Sequence, residues 1–209
     1  MKTPLSQAIA AKRDELIALT QDLIRIPTLN PPGQDYRAIC EYLDNRLKSH
    51  GFETQLIRAH GTPGDSTKYP RWNIVARRTG KTPGECVHFN SHTDVVEEGQ
   101  GWTFDPFGAT LHEGRIYGRG ACDMKGGLAA SIIAAETFIE THPDFSGAVE
   151  ISGTADEESG GYRAAEQGPH LPWPPRRLVG RDRDKGRDRP WLHAFPGRLR
   201  CSPHGRSAL

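Results

Sequence analysis

Three short segments of this chain carry side chains suited to metal chemistry. They are Ser91-His92-Thr93-Asp94, the glycine-rich run Gly118 to Gly127 with Asp123 at its centre, and Asp156-Glu157-Glu158-Ser159. One imidazole and several carboxylates are ligand types that suit Zn2+ or a similar divalent cation. Each pattern alone also has an ordinary explanation. His92 and Asp94 stand two apart beyond a strand-like run, where side chains share one side. They can be an incidental surface pair, or a carboxylate orienting an imidazole whose other nitrogen meets a metal. Asp123 just before a helical stretch can be an N-cap, or can bridge two cations with its two oxygens. Glu157 and Glu158 can be a solvated acidic turn. On extended chain they would face opposite ways, so that one could ligate while its neighbour handles a proton. Cys122, beside Asp123, reads as an ordinary thiol. Trp102, Phe104, Pro106 and Phe107 read as packing beneath such a site.

The elements that must position these residues follow from periodicity. Ser6 to Ile26 places Ile9, Leu16, Leu19, Leu23 and Ile24 at helical spacing, and the prolines at 27, 31 and 32 end that helix. Asp35 to His50 carries Ile39, Leu43 and Leu47 on one face, with Gly51 as its C-terminal stop. Phe52 to Ala59, Trp72 to Arg77, Cys86 to Ser91 and Val149 to Thr154 read as strands, the third of them central to its sheet. Gly61 to Tyr69 is a loop, and Gly126 to Thr141 is a long helix rich in Ala, Leu and Ile. Helices alternating with strands predict an α/β sandwich.

Together, in this order, the motifs resemble the metal-dependent acylase family of acetylornithine deacetylase, succinyl-diaminopimelate desuccinylase and aminoacylase. The likeness runs from Leu16 to about Gly161. It includes Trp102-Thr103-Phe104-Asp105-Pro106-Phe107 and Gly114-Arg115-Ile116-Tyr117-Gly118 as well as the three acidic segments. The resemblance implies an α/β fold: a zinc-aminopeptidase-like catalytic domain with a mixed sheet flanked by helices, incomplete in this chain. It implies a dinuclear site for two Zn2+, with Co2+ as a substitute. His92 would bind one metal, Asp123 would bridge both and Glu158 would bind the second. Glu157 would be the general base, and Asp94 would orient His92. The Asp123–Met124 bond would be cis. The substrate would be a small N-acyl amino acid, and the family's homodimer would be lost here with its dimerisation domain.

Two further ligands of that family pattern do not follow, an acidic residue in a Pro-Glu-Pro type segment and a late histidine. The composition changes where they should begin. Residues 169–209 hold 10 of the 27 Lys+Arg, 3 of the 26 Asp+Glu and 7 of the 16 prolines. The body is therefore acidic and the tail basic. Read in a shifted codon frame, the tail can spell a sequence like the family's dimerisation domain, including its Gly-x-x-Ala-His-Gly-Ser motif. The chain is accordingly expected to divide into residues 1–168, the N-terminal part of a metallohydrolase catalytic domain, and 169–209, a non-native and disordered tail. Such a chain would be inactive or nearly so.

Two other functions fit the composition less well. Nine tail arginines could neutralise phosphates. Asp182, Asp184 and Asp188 alternate with them and aromatic residues are sparse, so no nucleic-acid partner is expected. The body could instead be a non-catalytic metal- or partner-binding module. The N-terminus has no apolar signal region, and no segment approaches the roughly 20 apolar residues of a membrane span. The four cysteines form no C-x-x-C pair. A cytoplasmic protein with reduced thiols and no membrane partner is expected.

Overall fold

The computed structural model describes residues 4–160. The basic tail expected from residue 169 onward lies outside them. The first helical stretch is two helices rather than one, α1 (Pro4–Ala11) and α2 (Arg13–Arg25), with Lys12 between them. Helix α1 lies against α4 but buries no residue fully, whereas α2 buries Leu19, Thr20, Leu23 and Ile24. Helix α3 (Tyr36–Ser49) buries Tyr36, Ile39, Cys40, Leu43 and Leu47, the stripe expected from their spacing. Gly51, at φ 76°, donates to Lys48 O at 2.9 Å and Phe52 donates to Leu47 O at 3.0 Å. This is a Schellman stop, and the buried Phe52 and Leu47 supply its apolar contact.

Strands β1 (Glu53–Arg58), β2 (Trp72–Thr79), β3 (Thr82–His92) and β6 (Ser146–Thr154) form one mixed sheet in the order β1-β2-β6-β3. The β1–β2 and β2–β6 pairs are antiparallel, and β6–β3 is parallel. The parallel pair needs a crossover. It is made by the short hairpin β4 (Thr110–His112) and β5 (Arg115–Tyr117), the wide turn Ala121–Lys125 and helix α4 (Gly126–Thr141).

The expectation that Cys86 to Ser91 is central is corrected. Among the described residues β3 is the sheet's edge, with Val87 54% exposed, and β6 is central. Strand β6 is buried at Gly147, Ala148, Val149, Ile151, Ser152 and Gly153, on both faces, as an interior strand requires. Ile74, Ala76, Val149 and Ile151 share one face and join Leu23, Leu43, Leu47, Leu128 and Ile132 in a single core. On the other face Arg77 pairs with Glu150. His88 and Ser152 lie within hydrogen-bond distance at 2.9 Å, and Ser152 donates to Asn90 at 2.8 Å.

Arg46 ties the three long helices together. Its Nη2 reaches Glu15 on α2 at 2.7 Å and Glu136 on α4 at 2.6 Å, and its Nε donates to Glu136 at 3.0 Å. Glu15, His50 and Glu136 lie close enough to hold an ion, but Arg46 already supplies the positive charge there. The Arg46 hydrogen bond, assisted by Lys12, holds the Glu15 carboxyl below its usual range despite partial burial. A lowered folded pKa contributes stability above the unfolded value, about 4.3, and loses it as pH falls through the folded one. Glu15→Gln is therefore expected to make stability fall less steeply below about pH 4.3, a small effect measurable in urea titrations at stepped pH.

Candidate metal site

The ends of β3 and β6 lie side by side, with His92 in register opposite Thr154. Both chains run on past their strands into the site. Beyond His92, Thr93 N donates to Thr154 O at 2.8 Å, which keeps the two extensions together. On the other side the loop after α2 closes over the same segment. Asn30 N donates to Val95 O and Val95 N donates to Thr28 O, each at 2.9 Å.

His92, 6% exposed, is fixed at both ring nitrogens. Nδ1 lies 3.1 Å from the Asp94 carbonyl and 3.5 Å from its carboxylate, so the main chain of Asp94 is the nearer orienting group. Nε2 lies 3.0 Å from Asp123 Oδ1 and 3.8 Å from Glu157 Oε2. Burial alone would lower the imidazole pKa, but Asp94, Asp123 and Glu157 outweigh it and raise it to about 9.

Asp94 is wholly buried and acts as an anchor. It accepts from Asn30 Nδ2 at 3.0 Å, Glu158 N at 3.0 Å and Glu157 N at 3.3 Å. Desolvation pushes its pKa up, but the His92, Asn30 and Glu158 contacts prevail and hold it below the usual carboxylate range. Asn30 also reaches Ser159 Oγ at 2.9 Å. Thus one carboxylate organises both the imidazole and the acidic turn.

Asp123 sits in the wide turn with non-helical backbone (φ −129°, ψ 98°), and its side chain is 77% exposed. It is not an N-cap, because α4 starts three residues later with no side-chain cap. The Asp123–Met124 bond is cis. Lys125 is fully buried under the turn and donates to Ile26 O at 2.7 Å, tying the turn to the end of α2. Burial lowers its pKa to about 7, against the pull of Asp94 and Asp35.

Glu157 and Glu158 do not lie on extended chain as expected. They occupy a 3-10 turn, Glu157–Ser159, and their amides both face Asp94. Ligand atoms of His92, Asp123 and Glu158 lie within 4.8 Å of one another. Burial first, then the nearby Asp123 charge, raises the Glu158 pKa, and a shared cation would relieve that repulsion. An imidazole nitrogen and two carboxylate oxygens so placed fit a divalent cation.

Cys122 is exposed, and Cys40 is a buried free thiol. Phe104 packs on His112 and Tyr117 at 5.4 and 4.9 Å between centroids, and Trp102 stacks under Arg119.

The described residues thus form a mixed α/β sheet flanked by helices, with an imidazole–carboxylate cluster where its strands end. The same fold is found in human carnosine dipeptidase 1 (TM-score 0.64, 23% identity, covering 78% of this chain and 36% of that one). It is also found in the M20 family metallo-carboxypeptidase Sso-CP2 from Sulfolobus solfataricus (TM-score 0.56, 21% identity, covering 71% and 32%).

Residues 88–182 match the model of Peptidase family M20/M25/M40. The chain is 39% identical over 165 residues to the succinyl-diaminopimelate desuccinylase of Beijerinckia indica, covering 73% of this chain and 40% of that protein. It is 40% identical over 144 residues to the enzyme of the same name from Cupriavidus pinatubonensis, covering 68% and 36%. The chain thus spans about two fifths of the length of these curated relatives.

Proposed function

We propose that this domain is the N-terminal part of a metal-dependent amidohydrolase that removes the acyl group from an N-acyl amino acid, of the succinyl-diaminopimelate desuccinylase or acetylornithine deacetylase type. The observation that carries the reading is the convergence of His92, Asp123 and Glu158, drawn from three distant segments, on one point. These residues would hold the cation set, two Zn2+ or Co2+ by family resemblance. Bound cations supply Lewis-acid polarisation of the acyl carbonyl and stabilise the charge that develops there.

The chain's own residues do the rest. Glu157, 60% exposed beside His92, faces the space where a water and substrate would meet. It takes a proton from the attacking water and returns it to the leaving amine, which yields a carboxylic acid and a free amino acid. Asp94 keeps the imidazole and the acidic turn in register through that transfer. The substrate is a small molecule.

We further propose that residues 169–209 are a frame-shifted, non-native tail, and that the chain as it stands turns over little or no substrate. The described residues supply three donors in one group, and a zinc site ordinarily uses three or four protein ligands for each ion. We place the protein in the cytoplasm. Supporting this, no helix among the described residues is long and apolar enough to cross a membrane, and Cys40 and Cys86 are free.

The test compares this chain with a restored version, in which the missing acidic Pro-Glu-Pro type segment, the codon frame and the later part of the catalytic domain with its histidine are all supplied after Gly161, both loaded with Zn2+ or Co2+. Each is given N-succinyl-LL-diaminopimelate and N-acetylornithine, and release of free amine is followed. Hydrolysis of either substrate by the restored version and little or no amine release by the present chain are expected. Metal bound without hydrolysis by the restored version would turn the reading to a binding module.

A further inference from the structure

We propose that Arg71 is a positioning residue of this site: acting through Asp156, its guanidinium holds the Glu157–Ser159 turn in the geometry that binds the cation. The inference rests on the reading of His92, Asp123 and Glu158 as metal ligands.

Arg71 immediately precedes β2 and is 4% exposed. Its own backbone is pinned on both sides. Its N–H donates to Asp65 Oδ1 at 3.2 Å, and its carbonyl accepts from Ala59 N at 2.9 Å. The guanidinium then spans three segments. Nε donates to Asp156 Oδ2 at 3.1 Å, and Nη1 donates to Pro32 O at 2.7 Å and Tyr69 O at 3.0 Å. Its carbon lies 5.6 Å from the centre of the Tyr36 ring. Gly33 and Gly64 line the space it fills, both at positive φ, and a Cβ on either would overlap the guanidinium. The pocket around this side chain is shaped to one planar cation.

Asp156 receives this effort. It holds a left-handed backbone at φ 66°, which is uncommon for a residue with a Cβ. Tyr36 Oη donates to its Oδ1 at 3.0 Å and accepts from its N–H at 3.2 Å. Asn73 Oδ1 accepts from Ala155 N at 2.8 Å, one residue earlier. The residue after Asp156 is Glu157, whose amide, with that of Glu158, must face Asp94. Releasing Asp156 from Arg71 and Tyr36 lets its backbone leave the left-handed region and turns those two amides away. The Glu158 carboxylate then leaves the group it forms with His92 and Asp123. Arg71 touches none of the three ligands in the described contacts. It acts on them only through the start of the turn, as residues beyond a metal's ligands do when they set ligand orientation.

The 209-residue chain is compared with Asp156→Asn, Tyr36→Phe and Arg71→Met. Two quantities are read: amide hydrogen exchange of the metal-free proteins, and the Co2+ dissociation constant from the visible spectrum. In the variants the amides of Glu157, Glu158 and Gly160 are expected to exchange at least about tenfold faster, and the Co2+ dissociation constant to rise about 10- to 100-fold. The β2–β6 ladder amides should keep their protection, which separates this effect from unfolding. If Arg71→Met loses the ladder as well, the two milder variants decide.

Wild-type exchange at the turn and wild-type Co2+ affinity in Asp156→Asn and Tyr36→Phe would overturn the proposal. A wild-type chain that binds no Co2+ would overturn the metal reading and the affinity claim with it. The exchange data would then still report whether Arg71 holds the turn.

Discussion

Replacing His92 by alanine should cost the chain at least about a hundredfold in affinity for Co2+, more than the 10- to 100-fold typical of residues beyond the ligands themselves. The reason is the donor count. His92 Nε2 is the sole imidazole in a group whose other members are carboxylate oxygens of Asp123 and Glu158. Nitrogen ligation is what separates a zinc-like site from a loose acidic patch. The alanine leaves two carboxylates, one of them mostly exposed. Glu157→Gln makes the informative contrast. Glu157 Oε2 stands 3.8 Å from the same nitrogen but outside the three-donor group. Its amide variant should bind Co2+ within about threefold of wild type, and in the restored version that also carries the two further ligands should lose roughly 100- to 10,000-fold in kcat, the range of a general base. Isothermal titration with Co2+ checks the first part and amine release the second. Equal metal affinity in wild type and His92→Ala would remove the site.

Arg46→Ala is expected to destabilise the described domain by about 3–5 kcal/mol, the usual cost of stranding one member of a buried ion pair. Glu136 is 2% exposed and takes two of the Arg46 hydrogen bonds. With the guanidinium gone, its carboxylate has only His50 Nδ1, 3.3 Å away, as a charged partner. The same substitution releases Glu15, so α2, α3 and α4 lose their shared tie at once. Replacing both partners, Arg46→Met with Glu136→Leu, should recover most of the loss, because the cost comes from the unpaired charge rather than from the bridge's own worth. Urea unfolding followed by circular dichroism measures both. A single variant within about 1 kcal/mol of wild type, the size of a surface pair, would show that water reaches Glu136.

The parts of the fold with strong local periodicity could be read directly. The stripe Ile39, Leu43, Leu47 and the following Gly51 marked α3 and its stop, and the spacing of Leu19 and Leu23 marked α2. The acidic and imidazole segments stood out because residue type alone limits what they can do. Other features have no local signature. The rank of β3 within the sheet is set by which strands pair with β6, and nothing in Cys86 to Ser91 encodes that. Strands β4 and β5 are three residues each, too short for alternation to show. Their turn places Glu113 and Gly114 at φ 49° and 74°, a two-residue turn more often marked by Asn-Gly.

The residues that organise the site were the hardest to see. Asn30 bonds across 64 residues to Asp94 and 129 to Ser159, and Arg71 bonds across 85 to Asp156. In the sequence Asn30 is only a loop residue between a helix and two prolines, and Arg71 only the residue before a strand. Polar contacts of that range have no spacing to read. A buried Asn beside a proline pair is at most a hint that its amide has been enlisted by something distant.

Asp94 has a mechanical consequence. Because the amides of Glu157 and Glu158 and the side chain of Asn30 all end on its one carboxylate, and His92 leans on its carbonyl, the gap between imidazole and acidic turn is set by a single side chain. Breathing between the β3 and β6 tips would carry both halves of the cluster together instead of prising them apart. A sheet can flex at its rim and still keep the His92 and Glu158 donors at a constant spacing.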